Sequence, residues 1–227
     1  MANLHRRISD EDRTAISQAI TAAEWRSGCE IIPVLASSSG RYDRGEDIFG
    51  LIFALTVLGL SWTLVSASGV EATGLWTESG APFGLGAVIG IVIGGFAIGA
   101  FLATRFSALK TLFVSRQEMT QEVIRAAEAC FYARGLRKAP NTAGILIYVS
   151  AYERMVHILG DEAVAAQLSE AGWNQIRDAL VAELRRGRPA AGIISGIMTA
   201  GDLLDGAFPR DGVEGSRFAD ELVVLDQ

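Results

Sequence analysis

The sequence predicts an α/β domain split by a two-helix transmembrane hairpin. Three observations lead there. Two long stretches, Ile48 to Ser68 and Pro82 to Thr104, contain no Asp, Glu, Lys or Arg. Outside them, stretches of helical periodicity alternate with short β-rich apolar runs, EIIPVLA and GILIYVS. Removing Ile48 to Thr104 leaves 170 residues, enough for one compact domain, whereas the first 47 hold only one helix and one strand. So small a piece cannot bury a core, and it must fold against the later one.

Residues 9 to 27 read as the first helix. Ser9 is a good N-cap with Asp12 three residues later, and Ile16, Ala19, Ile20 and Ala23 form one apolar face. Gly28 ends it. Glu30 to Ala36 then reads as a strand, in which Pro33 removes a ladder donor and favours an edge or end position. Ser37 to Asp47 (SSSGRYDRGED) is expected to be a polar linker; its Ser37-Ser38-Ser39-Gly40 run resembles a phosphate loop only in composition.

Ile48 to Ser68 and Phe83 to Thr104 form the hairpin, with a connecting loop at 69–82. At helical rise each segment is roughly 32 to 33 Å long, about the hydrocarbon thickness of a bilayer. Buried helices of soluble proteins rarely run so far without one charge facing solvent. Arg41 and Arg44 precede the first span, and Arg105, Lys110 and Arg116 follow the second, while the loop carries only Glu71 and Glu78. The positive-inside rule therefore puts both ends of the chain in the cytoplasm and loop 69–82 outside. Trp62 and Trp76 near the outer ends suit the interface.

The second span carries two rows of small residues. Gly86, Gly90 and Gly94 form one, and Gly95, Gly99 and Ala103 the other, with Gly50, Ala54 and Gly59 of the first span as the nearest complement. In lipid, close backbone approach is what lets helices associate, so these rows point to hairpin packing or to homo-oligomerisation through the second span. Neither span holds an ionisable residue, which argues against an ion or proton route.

The second piece, 105–210, opens with a helix ending in EVIRAAEACFYARG, where Val123, Ile124, Ala127, Cys130 and Phe131 follow helical spacing and Gly135 stops it. Gly144 to Ser150 is a strand covered on both faces. After the Ala151-Tyr152-Glu153 turn, Arg154 to Leu159 pairs with it as a hairpin, closed by Gly160 and Asp161. His157 then shares a face with Met155 and Leu159. Helices follow at Glu162 to Leu168, Glu170 to Arg186 and Pro189 to Phe208, the last with Pro189 at its first position. Residues 211–227 read as a tail in which Leu222 to Leu225 could add an edge contact.

Several function classes are excluded. The net charge is −6 and no segment is polybasic, so a bulk nucleic-acid binder is not expected. Cys29 and Cys130 are a hundred residues apart and outside any C-x-x-C motif, which does not suggest a zinc site. There is no G-x-S-x-G, H-E-x-x-H, P-loop or Cys-His couple.

The order helix, strand, two spans, helix, two strands, helices resembles the TPM domain family, shared by plant thylakoid lumen proteins, photosystem repair factors and many bacterial membrane proteins. The residues that carry the likeness are ISDEDRTAISQAITAAEWRSGCEIIPVLA, then CFYARGLRKAPNTAGILIYVSAYERMVHILGD, then AELRRGRPAAGIISGIMTAGDLLDGAFP. It is most similar to a bacterial subgroup in which a membrane hairpin interrupts the domain after its first strand. The resemblance implies a three-layer α/β sandwich, with a small sheet between helices, at the bacterial inner membrane. Some relatives bind divalent cations, some act as acid phosphatases and others as assembly or repair factors. The family pattern has an Asp-Asp-Arg-like turn after the GILIYVS-type strand and a Gly-x-Gly after the next. Here those positions read Tyr152-Glu153-Arg154 and Gly160-Asp161-Glu162, so one acid is missing and the second glycine is an acid.

The candidate cation ligands for Ca²⁺ or Mg²⁺ are accordingly Glu153, Asp161 and Glu162, and the candidate catalytic residues are Glu153, Arg154 and Asp161. A hard cation needs several oxygen ligands converging on one point. A short hairpin places Glu153 and Asp161 at opposite ends, roughly 15 to 20 Å apart at strand rise. The leading expectation is a membrane protein whose domain binds or assembles a membrane or cytoplasmic partner. A divalent-metal-dependent phosphatase and an oligomerising hairpin or transporter accessory subunit are the rivals.

Overall fold

The computed structural model describes residues 8–40, 43–68, 84–106, 115–136, 143–208 and 219–225. Loop 69–82 with Trp76, the flanking Arg41 and Lys110, and most of tail 211–227 lie outside the described residues. The chain divides into two units: Met1–Gly40 together with Met119–Gln227, and Arg41–Glu118.

In chain order the elements are α1 (Asp10–Ser27), β1 (Cys29–Ala36), α2 (Asp43–Ser68), α3 (Leu85–Arg105), α4 (Arg116–Ala133), β2 (Ala143–Ser150), β3 (Met155–Gly160), α5 (Glu162–Gln167), α6 (Glu170–Arg185), α7 (Pro189–Leu203) and β4 (Val223–Leu225). The strands form one mixed sheet in the order β3-β2-β1-β4. β1 runs parallel to β2 and β4, and β3 is antiparallel to β2.

Every residue of β1 and β2 is buried, because helices cover both faces. Ile31, Leu35, Ile145 and Ile147 meet Ile16 and Ile20 of α1, Ile176 and Leu180 of α6, and Ile193 and Ile197 of α7. On the other face Ile32, Val34, Leu146 and Tyr148 meet Val123, Ala127 and Phe131 of α4. The result is a three-layer α/β sandwich with a small sheet in the middle. Cys130 packs on the second cluster beside Met155 and Leu159, as a small core hydrophobe. His157 lies half-buried between them in β3; burial pushes its imidazole below the ordinary value, with Glu128 opposing.

The capping box forms: Asp12 N–H donates to Ser9 Oγ at 3.1 Å and Ser9 N–H to Asp12 Oδ2 at 2.9 Å. Gly28 ends α1 with φ +67, and a Cβ there would sit 2.0 Å from the Phe208 carbonyl oxygen. Only glycine satisfies both demands. Behind that turn, the buried Glu24 carboxylate accepts the Ile31 N–H at 2.7 Å and ties α1 to the strand that follows.

The expectation for Pro33 needs correction: it suggested an edge or end position, yet Pro33 lies mid-strand and β1 is interior. Backbone polar groups of a parallel strand alternate sides. Ala36 O accepts from Ala151 N–H on the β2 side, and Ser37 N–H donates to Leu225 O on the β4 side. Counting back by twos puts Pro33 on the β4 side, one residue before that pairing begins at Val34. Its missing donor therefore breaks no ladder bond. At the edge of the sheet, Val223–Leu225 pairs with Val34–Ala36, which is the edge contact expected within the tail.

In the second unit α2 and α3 pack side by side. Both are long and apolar enough to cross a membrane, over Gly45–Ala67 and Leu85–Arg105. Gly95, Gly99 and Ala103 are the buried residues of α3. A Cβ on Gly95 would lie 2.9 Å from Ala54 Cα, and one on Gly99 2.9 Å from Gly50 Cα. Gly59, Gly86, Gly90 and Gly94 have nothing within 4 Å of that position. One of the two rows thus makes the contact and the other faces away.

Gly99→Leu is expected to destabilise the hairpin by about 1–3 kcal/mol through overpacking, and Gly90→Leu to leave it intact. Disulfide cross-linking between cysteines introduced at Glu46 and Thr104, followed on heating, measures the difference.

Candidate functional site

The C-terminal ends of β1 and β2 converge with the turn that follows each. Ala151 N–H donates to Ala36 O at 3.0 Å, and Tyr152 N–H to Ser37 O at 3.1 Å. These bonds draw the Ala151–Arg154 turn against Ser37–Gly40 and bring Glu153 inward, where only 6% of it is exposed.

A carboxylate buried so far must find donors or lose its charge. Glu153 Oε1 accepts the Ser39 N–H at 2.9 Å, and Oε2 accepts the Ser150 hydroxyl. Ser39 Oγ in turn donates to Ser150 Oγ at 2.8 Å and lies 3.2 Å from Tyr148 OH. Since Ser39 spends its one proton on Ser150, the tyrosine must be the donor between them. The protons thus run in one direction, from Tyr148 through Ser39 and Ser150 to Glu153. Burial pushes the Tyr148 phenol up, with the Ser39 contact partly offsetting it, and burial does the same to Tyr152 beside Glu153. Ser38 Oγ gives its proton to Gly40 O at 2.9 Å and stands 3.4 Å from Glu153 Oε1.

Asp161 sits at the other end of β3. Its Oδ1 accepts the Val164 N–H at 2.8 Å as the N-cap of α5, and its Oδ2 accepts the Gly144 N–H at 3.0 Å, which fastens the start of β2. Glu162 is exposed in the first turn of α5. β3 separates Asp161 from the Glu153 turn by six residues, about 20 Å at strand rise. The structure therefore brings Glu153 together with serines and a tyrosine, not with Asp161 or Glu162. Among the described residues no group of three or more His, Cys, Asp or Glu is placed to hold a metal ion. Burial, with Asp161 and then Glu24 and Glu30 nearby, pushes the Cys29 thiol up, so it stays protonated within the core.

Arg154 closes the turn with φ +54, the described non-glycine residue in the left-handed region. It lines a cavity of about 560 Å³ together with Leu35, Val149, Val156, Val181 and Arg185. Sequence reasoning reached Glu153 and Arg154 but missed Ser39, Tyr148, Ser150 and Arg185. The Ser37–Gly40 run, expected to be a flexible linker, is instead held in place, with Ser39 7% exposed. The available signal was the run of serines directly after a buried strand.

A small mixed sheet sandwiched between helices, with its acidic turn at the strand ends, defines a class of α/β domain. The TPM domain family model matches residues 108–203, and a TPM domain is present in this chain. The fold is similar to that in the NMR structure of the BA42 protein from the psychrophilic bacterium Bizionia argentinensis, with a TM-score of 0.57, 16% sequence identity and 99% of each chain covered. No curated protein matches the chain.

Ser150→Ala is expected to cost about 1–3 kcal/mol by leaving a buried carboxylate short of a donor. Glu153→Ala should cost as much or more, since it strands both Ser39 N–H and the Ser150 hydroxyl, while Glu162→Ala should stay within about 0.5 kcal/mol. Urea midpoints of the detergent-solubilised chain measure all three.

Proposed function

We propose that this protein is a two-span integral protein of the bacterial inner membrane, with cytoplasmic termini and loop 69–82 outside. Its TPM domain serves as a binding or assembly module for a membrane or cytoplasmic protein. The observation that carries the membrane reading is the outward surface of the hairpin. Leu51, Leu55 and Leu64 of α2 and Ile93 and Phe101 of α3 are 52%, 55%, 68%, 64% and 69% exposed. Such faces are costly in water and at home in hydrocarbon. Arginines and lysine at both ends of the hairpin, against two glutamates in its loop, support the orientation.

Binding rather than hydrolysis is supported by how the carboxylates are used. Glu153 is engaged by Ser39 and Ser150, and Asp161 by two backbone amides, so each already serves the fold. A second reading concerns self-association: the open row Gly86, Gly90 and Gly94 offers a second copy a surface of close approach.

Alkaline phosphatase fused after residue 75 is expected to be active, and fused at the C-terminus inactive; the reverse pattern overturns the topology. With Mg²⁺ or Ca²⁺ the purified protein should not hydrolyse a chromogenic phosphate ester. Turnover that disappears in Glu153→Ala would replace the assembly reading with a metal-dependent phosphatase. Gly90→Leu should reduce cross-linking between copies without altering the hairpin.

A further inference from the structure

The cavity beside the acidic turn combines two kinds of surface. Its walls are aliphatic: Leu35 and Val149 from the sheet, Val156 from β3, and Val181 and Leu184 from α6. Among the described residues, two that bear a guanidinium, Arg154 and Arg185, line it as well, and no carboxylate does.

The charge is available. Among the described residues, Arg154, Arg185, Arg186 and Arg188 stand at this end of the domain, and Glu183 accounts for two of them, with Arg186 and Arg188 each 2.6 Å from its oxygens. Among the described residues no acidic side chain pairs with Arg154 or Arg185. An arginine with no partner beside an apolar concavity favours an anion, because the low-dielectric walls strengthen the attraction and the planar fork matches a carboxylate or phosphate head. Arg154 also holds a backbone conformation that costs a non-glycine residue roughly 1 kcal/mol or more. Glycine would adopt it freely, so folding alone gives no reason for arginine at this position.

We propose that this cavity binds an amphipathic organic anion, an aliphatic chain ending in a carboxylate or phosphate head. The chain lies along Leu35, Val149, Val156 and Val181, and the head is held by Arg154 and Arg185. A volume of about 560 Å³ is within the range of small-molecule sites, roughly 300–1,000 Å³. The site is built from the domain's own residues and stands whether or not the hairpin spans a bilayer.

The test uses the full chain in nanodiscs and isothermal titration with butanoate, hexanoate and octanoate, each kept below micelle formation. Affinity should rise about threefold to fourfold per added methylene. Octyl phosphate against octanoate identifies the preferred head, and binding of either supports the site. Octanol binding as tightly as octanoate, or inorganic phosphate binding as tightly as octyl phosphate, overturns it. Arg154→Gly, which keeps the backbone conformation, and Arg185→Gln should each weaken octanoate about tenfold or more. Val181→Phe, which fills the cavity, should abolish binding. All three variants should keep the unliganded thermal midpoint within a few degrees, and unchanged affinity in all three rejects the proposal. Empty nanodiscs titrated alongside remove partitioning into lipid.

Discussion

The parallel pairing of β1 with β2 is the constraint on which the domain rests. Eight registers, from Cys29 with Ala143 to Ala36 with Ser150, join the first piece of the chain to the second. Parallel strands cannot be joined by a tight turn, so the chain must cross over between them. Here the crossover contains α2, α3 and α4. Without the pairing, α1 and β1 would have no core to enter. With it, both faces of the sheet close, one under α1, α6 and α7 and the other under α4.

Much of this was legible because the signals were local. Charge-free runs marked α2 and α3, the Ser9 and Asp12 spacing marked the start of α1, and the continuous run GILIYVS marked a strand covered on both sides. What was not legible depended on neighbours far away in sequence. Pro33 is an edge signal by itself, and only the offset start of β4 makes it harmless inside the sheet. Ser37–Gly40 has the composition of a linker, and only the carboxylate of Glu153, more than a hundred residues on, gives it fixed partners. The acids of the hairpin looked like ligands by type. In the fold they serve as acceptors for backbone amides and a serine, a use that spacing alone cannot separate from coordination.

The Glu153 network has an energetic logic of its own. A buried carboxylate costs several kcal/mol in desolvation unless hydrogen bonds meet it, and here they come from β2 and from the segment after β1, while the carboxylate itself stands in the turn after β2. Once satisfied, the carboxylate fixes all three relative to one another. It thereby sets the turn that holds Arg154 at the cavity, so one acid and the next residue divide the work, the first inward and structural, the second outward and charged.

The same network shows why an insertion at this point is tolerable. Ser39 and Gly40 are the last residues of the domain before the chain leaves for the hairpin, and their positions are set by contacts within the domain. The hairpin in turn closes on itself. Thr104 Oγ1 lies 2.9 Å from Glu46 Oε2, so its two feet meet. Closing a loop costs free energy only as the logarithm of its length, about 0.6 kcal/mol per doubling. A self-closed insertion counts for little in that length, because its ends return to where they began. The entropic penalty for bringing β1 to β2 is then close to that of the shorter connection without α2 and α3, and a sheet of four short strands can meet it.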